Sequence, residues 1–311
     1  MEPSYIKLYE KGELLRRVKK TLSLMEHCTL CPRECHVNRL EGETGFCETG
    51  RKAKLASYNA HFGEESPLVG RYGSGTIFFS SCNLLCNFCQ NYDISHLREG
   101  VEVGPEKIAV TMMQLAERGC HNINFVTPTH VVPQLLEALV LAIEKGLKIP
   151  LVYNSSGYDS VETLRLLEGI FDIYMPDFKF WDENWSNRYC NAPDYREVAI
   201  GAVREMHRQV GELIINDDGV TIKGLLIRHL VMPQNIGGTE KILNFIANEI
   251  SPNTYVNVMD QYRPCGEAHK DEFINRRLTA QEFKEAMDKA REMGLKRLDP
   301  RDRVRFVFAL R

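Results

Sequence analysis

Residues 75–89 read GTIFFSSCNLLCNFC, a short β-rich run that leads directly into three cysteines. β-Branched and aromatic side chains dominate the start of this stretch, which predicts a buried strand that ends at the first cysteine. A loop at that point projects from the carboxyl end of the sheet, the edge at which α/β enzymes place their chemistry. Its cysteines follow the spacing Cys-x3-Cys-x2-Cys, and we call residues 82–89 the three-cysteine loop: Cys82, Cys86 and Cys89.

Five further β-rich runs alternate with helical stretches downstream of this loop. They occupy residues 122–127, 149–155, 171–179, 224–232 and 254–260. Repeated strand and helix units predict a parallel sheet with right-handed crossovers. Six such units are too few to close a standard eight-stranded barrel. We therefore predict an α/β fold with a partial open (β/α)6 TIM-like barrel, and a doubly wound sheet is the alternative.

The region before the barrel differs in character from the rest of the chain. Residues 1–70 combine a charged amphipathic helix, around residues 12–23, with a small cysteine-rich region that we call the knuckle, residues 28–47. Residues 71–311 are predicted to form the barrel and a C-terminal extension. Residues 181–194, WDENWSNRYCNAPD, are polar and aromatic, and we predict an irregular substrate-binding stretch there at the carboxyl rim of the barrel.

The C-terminal extension is predicted to contain one helix and one strand. Thr279 lies three residues before Glu282, which is the capping-box pattern of a helix start. Residues 303–310, RVRFVFAL, have the alternating composition of a terminal strand.

Composition excludes several classes of partner. The 311-residue chain is 43% hydrophobic, with a formal net charge of -3 and a pI near 6.3. No global basic field therefore points to nucleic acid or to an anionic membrane. No run reaches the roughly 18 apolar residues that a spanning helix needs, and the charged N-terminus lacks the apolar core of a signal peptide. We predict a cytoplasmic protein with no nucleic-acid or membrane partner.

Ten cysteines in a reducing cytosol indicate metal or redox chemistry rather than structural disulfides. Cys120, Cys190 and Cys265 are solitary and are predicted to be buried, inert thiols. In the three-cysteine loop, a structural zinc ion would need a fourth protein ligand, such as a distant histidine. Three cysteines can instead hold three irons of a [4Fe-4S] cluster and leave the fourth iron open to a small molecule.

The stretch CNLLCNFC, after a first strand and before alternating strands and helices, resembles the cluster loop of the radical S-adenosylmethionine (radical SAM) superfamily. The resemblance implies that the open iron binds S-adenosylmethionine (SAM), and that a donor such as flavodoxin or ferredoxin supplies the electron that cleaves it. The products would be methionine and a 5′-deoxyadenosyl radical that abstracts hydrogen from a substrate. The resemblance also implies that Phe88, before the last cysteine, borders the adenine.

From CTLCPRECHVNR (28–39) to YVNVMDQYRP (255–264), the chain is similar to the PflX-type relatives of the pyruvate formate-lyase activating enzyme. NSSGYD after the third strand and MPDFK at the end of the fourth resemble the Asp-Thr-Asn-Gly and Met-x-Asp-x-Lys segments of the activating enzymes. By this resemblance, the following residues lie around the methionine end of the cofactor: Asn154, Ser155, Met175, Asp177 and Lys179.

Two later strand ends carry further candidate site residues. Arg228 and His229, in LIRHLVMP, resemble a segment of the activating enzymes that approaches the ribose and carboxylate of the cofactor. Gln261 and Tyr262 lie near the end of the sixth strand. For each of these residues, a structural ion pair or packing role is the alternative.

One segment departs from the superfamily pattern. After the second strand, many members carry a Gly-Gly-Glu stretch that meets the amino group of the cofactor, whereas this chain has FVTPTH (125–130). The hydroxyl of Thr127 or Thr129, or the ring of His130, is the expected substitute.

The knuckle supplies four thiolates, spaced x2, x3 and x11: Cys28, Cys31, Cys35 and Cys47. Four ligands make a closed site, which an electron-transfer cluster or a structural zinc ion requires. We weigh an auxiliary iron-sulfur centre, a structural zinc or rubredoxin-like iron, and no metal. His36, next to Cys35, is expected to be a surface histidine rather than a ligand.

The sequence thus predicts a radical SAM oxidoreductase that cleaves its cofactor at a [4Fe-4S] cluster. By resemblance, the substrate is a glycine in a glycyl-radical protein, which would make the protein an activating enzyme. The first alternative is radical chemistry on a small molecule or a peptide. The second alternative is a non-catalytic zinc or iron-sulfur binding module.

Overall fold

The computed structural model describes residues 2–300. Its strands are β1 (Ala53–His61), β2 (Ser74–Phe79), β3 (Val101–Val103), β4 (Ile123–Val126), β5 (Leu151–Ser155), β6 (Ile173–Pro176), β7 (Ile214–Ile215), β8 (Thr221–Leu230), β9 (Tyr255–Met259) and β10 (Arg297–Leu298). Its α-helices are α1 (Ser4–Glu10), α2 (Glu13–Ser23), α3 (Ser66–Val69), α4 (Tyr92–Ser95), α5 (Pro105–Glu117), α6 (Val132–Glu144), α7 (Val161–Leu166), α8 (Glu183–Cys190), α9 (Tyr195–Val210), α10 (Thr239–Phe245) and α11 (Ala280–Glu292). A π-helical turn, Ile246–Ile250, extends α10.

The strands form one open, mostly parallel sheet in the order β10-β9-β8-β6-β5-β4-β2-β1-β3, with β7 paired to β8. β2, β4, β5, β6, β8 and β9 are the six predicted strands, and each pairs in parallel with the next in chain order. In a doubly wound sheet, the order of the strands reverses beside the first strand, whereas here the six strands lie side by side in chain order. Because β3 and β10 end the sheet without pairing to each other, the prediction of a partial open barrel is confirmed.

Burial explains why the central strands lack alternation in sequence. Every residue of β5 and of β6 is buried. Parallel strands are covered on both faces, here by the barrel interior on one side and by helices on the other. Helix α5 shows the outer layer clearly, because Ile108, Met112 and Leu115 are buried at helical spacing while its other face is exposed and mostly charged.

The sheet begins earlier than the sequence indicated. β1 runs antiparallel to β2, with Leu55 opposite Phe79 and His61 opposite Ser74. This strand was not among the predicted ones, and it lies inside the segment assigned to the N-terminal region. The division of the chain at residue 70 stays a prediction, but the main sheet includes residues before it.

The segment after β1 closes the amino end of the barrel. Side chains of a strand point to alternate faces. Val152, Met175 and Leu226 therefore lie on the same interior face as the residues two positions further along each strand. Leu68 of α3 packs into the buried cluster that these residues form with Tyr255. Helix α3 therefore plugs the barrel from below and provides a floor for any site at the carboxyl ends of the strands.

Two local predictions had different outcomes. The irregular stretch predicted at residues 181–194 was wrong, because it contains α8, whose first turn is capped by Asp182 accepting hydrogen bonds from the backbone of Asn184 and Trp185. The capping box of Thr279 and Glu282 is confirmed at the start of α11. The terminal strand predicted at residues 303–310 lies outside the described residues. Across the described chain, no helix is both long enough and apolar enough to cross a bilayer.

Candidate active site

The three-cysteine loop leaves the end of β2 and folds tightly. Ser81 and Leu85 have positive φ angles of 73° and 52°, which turn the chain back on itself. The Leu84 amide donates to Cys82 Sγ over 3.3 Å, and Asn83 Nδ2 donates to the carbonyl oxygen of Tyr158 over 2.7 Å. The loop is thus held by its own backbone and by the segment after β5.

The thiols of this loop lie close enough to influence one another. Desolvation of the Cys82 thiol, reinforced by its neighbours Cys86 and Cys89, raises the pKa of Cys82 to about 12. Thiolates crowded together in a buried place need a cationic partner, and metal binding removes their protons. The donor set therefore fits an iron-sulfur cluster held on three sides.

Beside the loop lies a cavity of about 340 Å³. Its walls are the carboxyl ends of the six barrel strands, and its floor is the segment that precedes the α3 plug. The side chains of the cavity include Phe78, Cys86, Phe88, Cys89, Val126, Asn154, Asp177, Lys179, Arg228, Leu230, Met259, Gln261 and Tyr262, together with His61, Glu64 and Glu65 below them.

A buried charge cluster faces this cavity. Asp177 contacts the ammonium of Lys179, and its Oδ1 lies 2.6 Å from Nε of Arg228. Arg228 Nη2 also donates to Asn154 Oδ1 over 2.7 Å. Burial opposes ionisation of Asp177, but the charges and hydrogen bonds of Arg228 and Lys179 outweigh it and lower the pKa of the carboxyl group. The cluster is therefore ionised and offers both a carboxylate and two cations to a ligand.

Neighbouring groups fix the cluster in place. Tyr195 accepts a hydrogen bond from the Lys179 amide and donates to the carbonyl oxygens of Ser156 and Asp177. Gly157, at φ +76°, lets the loop after β5 approach, because a Cβ there would lie 2.2 Å from the Asp177 carbonyl oxygen. This close approach explains why the NSSGYD segment has a glycine at position 157.

The structure brings together most of the residues chosen from the sequence. Phe88, Asn154, Asp177, Lys179, Arg228, Gln261 and Tyr262 all line the cavity next to Cys86 and Cys89. The ring of Phe88 packs against Phe180, Tyr189 and Tyr262, with ring centroids 5.9, 6.1 and 6.1 Å away. The contacts of these residues with a cofactor stay predictions, and their convergence is the geometric basis for them.

Three other predicted cofactor residues do not line the cavity. Thr129 and Ser155 donate their hydroxyl hydrogens to Asp159, over 2.7 and 2.5 Å. Burial raises the pKa of Asp159, while these donors and Tyr153 act to lower it. Thr127 has a φ of +57°, and its amide donates to the Asn154 carbonyl oxygen over 2.9 Å. All three stabilise the strand ends from behind.

The remaining candidates have mainly structural contacts. His130 bonds the Ser80 carbonyl oxygen through Nε2 at 2.9 Å, and burial lowers its pKa to about 4. His229 is held between the Phe178 carbonyl oxygen and the Thr239 hydroxyl, and burial likewise lowers its pKa to about 4. Met175 belongs to the buried cluster around Leu68 rather than to the cavity wall.

Sequence reasoning missed an acidic pair at the floor of the cavity. Glu64 lies 3.6 Å from Arg228, and Glu65 accepts a hydrogen bond of 2.7 Å from Asn257. Among the described residues, the other carboxylate oxygen of Glu65 is buried without a hydrogen-bond partner. Burial, and then the charge of Glu65, raises the pKa of Glu64 to about 7. No local motif marks this pair, since its position depends on the antiparallel β1.

The four cysteines of the knuckle surround a second, enclosed cavity with Arg33, Arg39, Asn83 and His130. Arg39 is 1% exposed, and its Nη1 lies 3.8 Å from Cys28 Sγ. The Phe46 amide donates to Cys35 Sγ over 3.3 Å. His36 is exposed and stacks on His27, which fits a surface histidine. Over residues 2–300, no three histidine, cysteine or acidic side chains lie in a geometry that could hold a single metal ion.

Comparison with known proteins assigns the family. Residues 76–246, more than half of the chain, match the radical SAM superfamily model. The chain belongs to the radical SAM superfamily. It is 36% identical over 297 residues to an uncharacterized protein of Methanocaldococcus jannaschii, covering 92% of this chain and 81% of that protein. A solved structure described as native anSMEcpe with bound AdoMet is similar at a TM-score of 0.45 and 12% identity; the match covers 70% of this chain and 61% of that one.

Membership gives the geometry its chemical meaning. The protein is an enzyme of radical SAM type, and its family uses a [4Fe-4S] cluster together with SAM. Cys82, Cys86 and Cys89 lie within the matched region, and Cys86 and Cys89 line the cavity that contains the charge cluster. Enzymatic function is thus favoured over a non-catalytic metal-binding module.

Proposed function

We propose that this enzyme binds SAM next to a [4Fe-4S] cluster held by Cys82, Cys86 and Cys89, and that it abstracts hydrogen from a substrate in the cavity. The bound cluster and SAM together would supply a 5′-deoxyadenosyl radical by one-electron cleavage of the cofactor. The observation that supports this most directly is the cavity that joins Cys86 and Cys89 to the charge cluster.

The charges around the cavity suit an amino acid cofactor. SAM carries an ammonium group and a carboxylate group, which need an anion and a cation respectively. Lys179 and Arg228 are positioned to receive the carboxylate, and Asp177 or Glu64 to receive the ammonium. The aromatic group around Phe88 provides a flat apolar surface for adenine. Asp177 or Glu64 would thus take the place of the Gly-Gly-Glu stretch, which meets the amino group of the cofactor in many other members.

The chain also provides the dry surroundings that radical chemistry needs. Leu68 and the buried cluster around it fill the amino half of the barrel. Water is therefore kept out of the amino half of the barrel, and a bound cofactor would cover the carboxyl side. Exclusion of water protects a reactive intermediate from side reactions.

For the substrate, we propose a glycine residue of a glycyl-radical protein, as in activating enzymes of the PflX-like group. NSSGYD and MPDFK support this, because both segments that resemble the activating enzymes lie at the cavity. The electron would come from flavodoxin or ferredoxin. A reducing cytoplasm suits such a protein because exposed iron-sulfur clusters are sensitive to oxidation.

The plugged barrel favours a second candidate, which is a small molecule or a short peptide. Because α3 fills the amino end of the barrel, the cavity is limited to about 340 Å³, a volume that suits a small group or a narrow extended segment. Glycine is the smallest residue and fits this limit, and so does a small polar substrate that contacts Glu64 and Glu65.

The radical chemistry is tested by anaerobic reconstitution with iron and sulfide, followed by assay for 5′-deoxyadenosine and methionine under dithionite. We expect release of both by the native protein and none above background by Cys86→Ala. Cys120→Ala is the matched control, since Cys120 is a buried thiol that contacts the Tyr72 carbonyl oxygen before the start of β2, at the opposite end of that strand from the three-cysteine loop. Full cleavage activity in Cys86→Ala would contradict the proposal.

The substrate is tested separately, with purified pyruvate formate-lyase as the probe protein. Electron paramagnetic resonance should detect a glycyl radical that forms only when SAM and the reconstituted enzyme are both present. If 5′-deoxyadenosine forms without any glycyl signal, pyruvate formate-lyase is not the substrate and the small-molecule candidate gains support.

A further inference from the structure

The knuckle is built to hold something between its thiols. Backbone hydrogen bonds from Cys28 to Val37 and from His36 to Cys28 fold the chain around the enclosed cavity. Gly45 packs so closely that a Cβ there would lie 2.5 Å from Cys35 Cβ and 2.6 Å from its Sγ. Glycine at position 45 therefore lets the turn before Cys47 pack directly against Cys35.

A buried cation faces these thiols. Arg39 donates to the carbonyl oxygens of His130 and Gly50 over 2.9 and 3.1 Å. Among the described residues, it has no carboxylate in ion-pair range, and its Nε is buried without a partner. A buried guanidinium needs a compensating anion. Four thiolates around a metal centre carry a net negative charge, and they are the anion nearest to Arg39.

The position of the knuckle favours a cluster over a structural zinc ion. Its cavity is lined by Asn83, which belongs to the three-cysteine loop, and the family assigns a [4Fe-4S] cluster to that loop. Zinc has no redox chemistry, whereas an iron-sulfur cluster at this place could exchange electrons with the neighbouring centre.

The two sites are adjacent. Asn83 follows Cys82 directly in the chain, and it also lines the knuckle cavity. Arg33 of the knuckle donates to the Asn83 carbonyl oxygen over 2.9 Å. Through Arg39 and His130, the knuckle is connected to Ser80, two residues before the three-cysteine loop. The knuckle thus lies behind the loop, away from the substrate cavity.

We propose that Cys28, Cys31, Cys35 and Cys47 hold a second iron-sulfur cluster, which passes single electrons to the centre at the three-cysteine loop. Its four thiolates leave no iron open, so electron transfer is the chemistry available to it. One electron from a low-potential donor of the ferredoxin or flavodoxin class would reduce this cluster. That electron would then pass to the neighbouring centre, which becomes reduced while the knuckle cluster returns to its oxidised state. The presence of this cluster does not depend on the proposed function, whereas the identity of the centre that receives the electron does.

The cluster itself is tested by its metal content. Anaerobically reconstituted native protein should contain about eight irons and eight sulfides per chain, which corresponds to two [4Fe-4S] clusters. The triple variant Cys82→Ala, Cys86→Ala, Cys89→Ala should keep about four of each, and Cys28→Ala, Cys31→Ala should also keep about four. Added SAM should change the paramagnetic resonance spectrum of the knuckle variant but not that of the triple variant.

Several outcomes would overturn this inference. Native protein with about four irons and a triple variant with none would exclude a cluster in the knuckle. One zinc per chain that resists exchange during reconstitution would assign a structural ion instead. The iron and zinc content of the native protein tests the proposal even if the knuckle variant does not fold. If the triple variant keeps about four irons but native protein never cleaves SAM, the proposed function is refuted. The cluster in the knuckle would still be supported in that case.

The transfer of electrons needs its own measurement. With reduced flavodoxin as donor, the knuckle variant should release 5′-deoxyadenosine at least about tenfold more slowly than native protein. With dithionite, which is small enough to reach the loop directly, the two rates should be similar. Equal rates with flavodoxin would show that the second cluster is not on the electron path.

Discussion

The two groups of cysteines differ in what lies beside them. The three-cysteine loop borders a cavity of about 340 Å³ with three acidic side chains, two cations and an aromatic wall. The knuckle surrounds a small enclosed cavity that the fully buried cation Arg39 faces. A missing fourth ligand next to a polar cavity allows chemistry on a bound molecule. A complete set of ligands in an enclosed place limits the site to structure or electron transfer.

The two sites are also supported differently. The loop is carried by the end of a barrel strand, and the charge cluster next to it comes from the ends of β5, β6 and β8. The knuckle relies on short turns, on Gly45 and on the hydrogen bonds of Arg39. Changes to the loop side should therefore affect cofactor binding, and changes to the knuckle should affect metal retention and folding.

The largest expected effect is on the loop side, from Arg228→Met. This variant removes the contact with Asp177 and the hydrogen bond to Asn154, and it removes one cation for the cofactor carboxylate. We expect SAM affinity to fall by about 3 kcal/mol, since hydrogen bonds to charged groups contribute about 1.5–3 kcal/mol each. Equilibrium binding of SAM to reconstituted protein measures this. Arg204→Met, at an exposed ion pair with Glu249, is the control and should leave affinity unchanged.

The matching change in the knuckle is Arg39→Met. It leaves the carbonyl oxygens of His130 and Gly50 without their donor and the thiolates without a cation. The free energy of unfolding of the metal-loaded protein should fall by about 2 kcal/mol, and iron content should fall toward that of one cluster. Denaturant unfolding under anaerobic conditions and iron assay measure these. If SAM affinity falls as much as it does in Arg228→Met, the two sites are not separate in function.

The sequence predicted the barrel well because buried parallel strands and amphipathic helices are local patterns. The runs that became β2, β4, β5, β6, β8 and β9 contain their own apolar signal, and the three-cysteine loop is marked by spacing. β1 and the acidic pair of Glu64 and Glu65 were missed, because their roles depend on antiparallel pairing to β2 and on the plug formed by Leu68. Thr129 and Ser155 were chosen by position, yet they donate to Asp159. Such contacts depend on tertiary packing.

A smaller effect on the loop side concerns pH. Because burial and Glu65 raise the pKa of Glu64 to about 7, this carboxyl group is mostly protonated at lower pH and mostly ionised at higher pH. SAM carries a net positive charge, so it should bind more tightly as the pH rises. The Kd for SAM should fall about tenfold between about pH 6 and about pH 8, which follows the ionised fraction of one group. In Glu64→Gln this change should disappear, and an unchanged pH dependence there would assign it to another group.

The smallest expected effect separates steric fit from charge within the knuckle. Gly45→Ala would place a Cβ 2.5 Å from Cys35 Cβ, a contact that the backbone must relieve by moving Cys35 or Cys47. Overpacking of this kind typically costs about 1–3 kcal/mol, and we expect about 1 kcal/mol because the turn is close to the surface. Gly50→Ala is the control, since nothing lies within 4 Å of a Cβ there. Gly45→Ala should lose iron faster than native protein during anaerobic chelation with EDTA, whereas Gly50→Ala should match it. Equal loss from both variants would mean that the close packing at Gly45 does not hold the four thiols in place, and Arg39 would then remain as the main support of the site.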